Sequence, residues 1–109
     1  MAQPQTPEQI MAAIMANPRI ARNRTWGPFL SALAEEVLAA PPTPVVQVNS
    51  TAVRNRLGWE VPTLSGAHAS LHQWVERNFP AVPWQHAFGA NSVPALYSMA
   101  PSVAHVVLD

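Results

Sequence analysis

His68 and His72 stand one helical turn apart, with Glu76 a further turn on. On a helix the three side chains project from one face, and imidazole nitrogens with a carboxylate are ligand types that suit zinc. A site needs three or four converging ligands, so His86 or His105 would have to supply the rest from the C-terminal part of the chain. There is no HExxH, and the His-x3-His spacing is common by chance. The expectation is therefore no metal and no cofactor, with the pair partly buried or facing solvent.

The arginines fall into two groups. Arg19, Arg22 and Arg24 form a +3 patch within six residues, with no acid among them. Such a patch can lie along a phosphate backbone or reach into a minor groove. The alternative is that these arginines make weak surface ion pairs with Glu35 and Glu36. Arg54 and Arg56 project from a short helix and are placed to clamp phosphates beside it.

Catalytic chemistry finds less support. Glu35 and Glu36 are adjacent, so on a helix they point about 100° apart and do not face each other. Asp109 is the only aspartate and the last residue given, a poor third member for a Ser/His/Asp set. Gly66 and Gly89 are isolated, so no loop is rich enough in glycine to cradle phosphates. The chain reads as a binding protein and not an enzyme.

Composition bounds the rest. The 109 residues are 49% hydrophobic with four Trp and only 11% charged, enough for one globular domain over 1–109. Formal net charge is zero, with no Lys, so nucleic-acid affinity would have to come from local clustering. The absence of Cys excludes disulfides, thiolate zinc and cysteine catalysis. No apolar run approaches the roughly 18 residues of a membrane span, and the first residues lack the pattern of a secretory signal. A cytoplasmic location is expected.

These residues need elements to position them. Thr6-Pro7-Glu8-Gln9 predicts a helix start, with a capping box and proline at the first position; Asn17-Pro18 ends that helix, which spans 6–17. Its narrow apolar stripe (Ile10, Met11, Ile14, Met15) must pack on the rest of the domain or on a second copy. A second helix is expected over 25–40, since Trp26, Leu30, Leu33 and Val37 fall on one face, widened by Phe29 and Leu38. Pro41-Pro42-Thr43-Pro44 closes it as a stiff connector.

The β-branched segment 45–48 predicts a strand, followed by a helix over 50–58 capped by Asn49 or Ser50. In it Val53 and Leu57 are inward and Gly58 provides the left-handed exit. After a turn containing Pro62, a helix over 65–78 is expected, capped by Thr63 or Ser65, with Leu71, Trp74, Val75 and Asn78 sharing a side. Two strands are expected over 82–88 and 93–99 around a Gly/Asn turn. Pro94 demotes the second to an edge or to an irregular start. Val103, Val106, Val107 and Leu108 make 102–108 an added strand.

In this order, residues 26–99 resemble a winged helix-turn-helix: first helix, short strand, second helix, recognition helix and wing hairpin. The fold class expected is α+β, a small winged-helix-like core over 25–100 with an extra N-terminal helix and a C-terminal hairpin or strand. The match departs from the pattern in two places: the turn from 58 to 65 is long, and the wing carries no Arg or Lys. The resemblance implies that helix 65–78 enters the major groove of DNA. Its outward residues would then be Ser65, His68, Ser70, His72, Gln73 and Arg77, suited to reading base edges. Arg54, Arg56, Arg19, Arg22 and Arg24 would hold phosphates. The chain would be a small transcriptional regulator, a dimer through 6–16. The alternative for the helix face is simple solvation. The competing function is a non-enzymatic protein-binding module, an adaptor or inhibitor, using Arg and an exposed Trp59 or Trp84 as anchor.

Overall fold

The computed structural model describes residues 5–87 and 94–109. Helix α1 (Pro7–Ala16) opens on the capping box written in the sequence. Thr6 Oγ1 accepts from the Gln9 N–H at 3.1 Å, and Gln9 Oε1 accepts from the Thr6 N–H at 2.9 Å. Two donors that a helix start leaves without partners are thereby satisfied. Asn17 ends α1 and at once caps α2 (Pro18–Arg22), its Oδ1 accepting from the Arg19 N–H at 3.0 Å. Thr25 is the N-cap of α3 (Trp26–Ala39) without a side-chain bond of its own, and Asn23 Oδ1 just ahead of it accepts from the N–H groups of Thr25 and Trp26.

Helix α3 is the spine of the core. Trp26, Leu30, Leu33 and Val37 are buried, and so is Phe29. Strand β1 (Val46–Asn49) follows the proline connector, with Val46 and Val48 inward and Gln47 and Asn49 outward. Asn49 then caps α4 (Ser50–Leu57), accepting from the Thr51 N–H at 2.7 Å. Gly58 leaves α4 at φ +70° and ψ +26°, a left-handed conformation that an L side chain enters only at a cost of roughly 1–2 kcal/mol.

Helix α5 (Val61–Asn78) begins four residues earlier than the sequence reading placed it. Pro62 lies in its first turn, where a missing N–H leaves nothing unpaired, so it belongs to the helix and not to a turn. Neither Thr63 nor Ser65 is the cap; Glu60 holds that position without a side-chain bond. The link from α4 to α5 therefore shrinks to Gly58-Trp59-Glu60.

Strands β2 (Gln85–Ala87) and β3 (Leu96–Met99) pair antiparallel, with His86 opposite Tyr97. β3 also pairs antiparallel with β1, giving the order β1-β3-β2. β3 is thus the central strand and not an edge, and Pro94 lies ahead of it, in keeping with the irregular start that is the other expectation. The expected turn at 89–92 lies outside the described residues.

The end of the chain corrects the sequence reading outright. Residues 102–108 are not a strand but most of helix α6 (Pro101–Leu108). The β-branched residues suggested a strand, but propensity is a weak prior. Val103, Ala104 and Val107 sit at i, i+1 and i+4, and all three are buried as α6 packs on α3 and α1. Ser102 Oγ donates to Glu8 Oε1 at 2.7 Å, tying α6 to α1 and holding the Glu8 carboxyl below its usual range. Ile10, Met11 and Ile14 of α1 are buried in the same core. The stripe that suggested self-association through 6–16 is therefore covered within the chain.

The domain is α+β, with helices around a small antiparallel sheet. Among the described residues, no helix is long and apolar enough to cross a membrane.

Candidate functional site

Helix α5 presents two faces of different chemistry. Leu64, His68, Leu71 and Val75 fall at i, i+4, i+7 and i+11, and all are buried. His68 is only 2% exposed, so its expected outward, base-reading position is wrong. Once α5 starts at Val61, Leu64 precedes His68 by one turn and the buried row is the same pattern that identified α3.

The outer face carries Ser65, Ala69, Gln73 and Arg77 at successive steps of four, all exposed. Ser70 stands beside this row and is engaged. Its Oγ accepts from Trp26 Nε1–H at 2.9 Å and donates to the Ala67 carbonyl at 3.2 Å. Trp74 is half-buried and stacks on Trp26 with centroids 5.1 Å apart; the Arg19 guanidinium lies 5.5 Å from the Trp26 ring centroid. Trp26 therefore links α2 to the flank of α5, a contact between distant segments that sequence spacing does not reveal. Arg22 and Arg24 are exposed beyond Arg19.

The acids are distributed differently from the expectation. Glu35 and Glu36 hold Arg56, not the Arg19 group. One guanidinium nitrogen lies 2.9 Å from Glu35 Oε2 and another 3.0 Å from Glu36 Oε2. The Glu36 hydrogen bond, ahead of other causes, raises the Arg56 pKa. Arg56 is thus not the open phosphate clamp expected of it. Arg54 is half-buried and points Nη1 toward the Trp59 carbonyl at 3.5 Å. Among the described residues, Arg19, Arg22, Arg24 and Arg77 form no ion pair.

Behind α5 the histidines gather. The ring centroids of His68, His72 and His86 are separated by 4.7 Å (68–86), 4.8 Å (72–86) and 5.6 Å (68–72). His72, expected as an outward DNA contact, is half-buried here, its Nδ1 2.9 Å from Glu76 Oε1. Trp84 Nε1–H donates to His68 Nε2 at 3.2 Å. Burial, then repulsion from His86 and His72, lowers the His68 pKa to about 4; burial also lowers that of His86. Burial pushes the Tyr97 hydroxyl up to about 12. Among the described residues, no group of three or more His, Asp or Glu is arranged to hold a metal ion.

The remaining features are apolar. A groove of about 190 Å³ runs past Pro7, Val45, Pro83 and Met99, with Gln85 and Ser98 among its lining. Trp84 is 3% exposed and Trp59 packs half-buried against the core, so neither stands out as a protein-binding anchor. Among the described residues, the exposed large apolar side chains are Val45 just before β1, Val61 on α5 and Leu108 on α6.

No protein-family model matches the chain, and no curated protein or solved structure matches it either.

Proposed function

We propose that the chain is a winged helix-turn-helix DNA-binding protein, acting as a small transcriptional regulator. The observation that carries this is the arrangement α3-β1-α4-α5-β2-β3. In it a three-residue link joins α4 to α5, and the hairpin returns its last strand to pair with β1. The three-residue link has the length a helix-turn-helix uses, and the β1-β3-β2 order supports reading the two strands after α5 as a wing. They leave the row Ser65, Ala69, Gln73 and Arg77 on the outer face of α5, where a major groove would be read.

In this reading Gln73 and Arg77 supply the donors and acceptors for base edges, while Ser65 and Ala69 let the helix approach closely. Arg54, Arg19, Arg22 and Arg24 take phosphates, with Arg19 held against Trp26. His68 and Arg56 are not among the contacts.

The test is binding to random-sequence duplex DNA across a salt series. Affinity should fall linearly in log–log form as salt rises, and Arg22→Ala/Arg24→Ala should reduce the slope by about 2. Gln73→Ala/Arg77→Ala should weaken sequence preference more than it changes the slope. Absence of binding at low salt, or a slope that the Arg22/Arg24 variant leaves unchanged, overturns the proposal. Capture of a folded protein partner by an intact α5 face would replace it with the adaptor reading.

A further inference from the structure

An indole N–H can only donate, so the 3.2 Å bond from Trp84 Nε1 requires a lone pair on His68 Nε2. His68 is therefore neutral with its proton on Nδ1. Protonation at Nε2 would set two donors against each other where Trp84 meets the middle of α5. Trp84 immediately precedes β2, a three-residue strand at the edge of the sheet. β2 pairs with β3 on one side only, and short edge elements open at low free-energy cost.

The surroundings make the tie more sensitive to protons. His72 stands on α5 beside His68, and His86 reaches in from β2. Protonation of any two of the three puts like charges at centroid separations of 4.7–5.6 Å in a partly dry site. Glu76 on α5 lies against His72, where it offsets one charge. From β3 comes the Tyr97 ring, neutral throughout this pH range, and from α3 the Phe29 ring, which carries no charge. The adjoining sequence 88–93 contains no charged or titratable side chain.

We propose that His68, His72 and His86 form a proton-operated latch: neutral, it holds Trp84 and β2 against α5, and in acid it lets them go. The release is local and independent of what the outer face of α5 binds. Burial keeps His68 neutral down to about pH 4, with the charges of His86 and His72 adding to the effect, so the latch stays closed near neutrality.

The test follows the indole N–H signals by NMR from about pH 7.5 to about pH 3, with that of Trp84 assigned through Trp84→Phe. The Trp84 signal should move in acid, while that of Trp26, bonded to Ser70 on the opposite flank of α5, stays in place. In His68→Gln the amide oxygen can accept the same indole proton at every pH, so the movement should be lost. His86→Gln removes a repelling charge from His68 and should shift the Trp84 midpoint to higher pH. That shift decides the matter if His68→Gln does not fold. A stationary Trp84 signal, a midpoint unaffected by His86→Gln, or Trp84 and Trp26 moving together in both wild type and His68→Gln overturns the latch.

Discussion

Phe29→Ala will lower the stability of this protein by about 3–5 kcal/mol, because it empties the position where three layers meet. Phe29 is fully buried on α3, with the Tyr97 ring edge-on at 5.4 Å from β3 and the His68 ring at 5.6 Å from α5. Removing it takes apolar surface out of contact with the sheet and α5 together. The walls are held by the rigid α3 spine, so the cavity cannot close around the loss. Domains are commonly stable by only about 5–15 kcal/mol, so the variant should sit near the edge of folding. Urea melts will show the drop as a lower midpoint with the slope unchanged. Leu108→Ala, at a 41% exposed position near the end of α6, serves as the contrast and should change little. A loss below about 1 kcal/mol at Phe29 would contradict this account of the core.

Acid will destabilise the fold before its carboxylates titrate. The His68 pKa is lowered from 6.5 to about 4 in the folded protein, by burial first and then by the neighbouring histidines. In acid the unfolded chain therefore takes up this proton earlier than the folded one. The stabilising effect of keeping His68 neutral is complete above pH 6.5 and is lost progressively as pH falls toward 4. A shift of that size amounts to roughly 3 kcal/mol, spread over that window. His86 is displaced in the same direction and adds to the loss. Glu8, lowered by its bond from Ser102, contributes only as pH falls through the carboxylate range. Urea melts at successive pH values should show stability falling between about pH 6.5 and about pH 4, with a shallower fall in His68→Gln. A flat profile over that window, or an equal fall in the variant, would mean that the His68 environment is not what drives the change.

Where backbone chemistry is local, the sequence is legible. The Thr6–Gln9 capping box, the αL exit at Gly58, the Asn49 cap and the four-residue rhythm of α3 each depend on residues within a few positions of one another. The errors come from contacts between distant segments and from one rule used too narrowly. Valines at 103, 106 and 107 favour a strand in isolation, yet α1 and α3 offer a surface that a helix fills. In the sequence Pro62 looks like a turn marker, yet proline is as much at home in the first turn of a helix. That misplaced start hid Leu64 from the pattern, and with it the inward direction of His68. The pairing of Arg56 with Glu35 and Glu36 spans about 20 residues, and no spacing rule foretells it. The same holds for the Arg19–Trp26–Trp74 column and for the meeting of His86 with His68 and His72.

The corrections change the composition of the proposed DNA surface without abolishing it. His68 and His72 move to the inner side of α5, and Arg56 is taken by acids on α3. What stays outward is an uncharged row ending in Arg77, flanked by the arginines of α2 and the segment after it. Such a surface has few cations, so its affinity should be modest and steeply dependent on those few. The groove near Pro7, Val45 and Pro83 is remote in chemistry from this role, being lined mainly by apolar side chains.

The most direct test of the α5 interface is a residue-resolved NMR titration of the protein with duplex DNA at low salt. The largest amide shifts are expected at Ser65, Ala69, Gln73 and Arg77, accompanied by Arg19, Arg22 and Arg24. Shifts confined to the groove around Val45 and Pro83, or none at all, would contradict the placement of DNA on the outer face of α5.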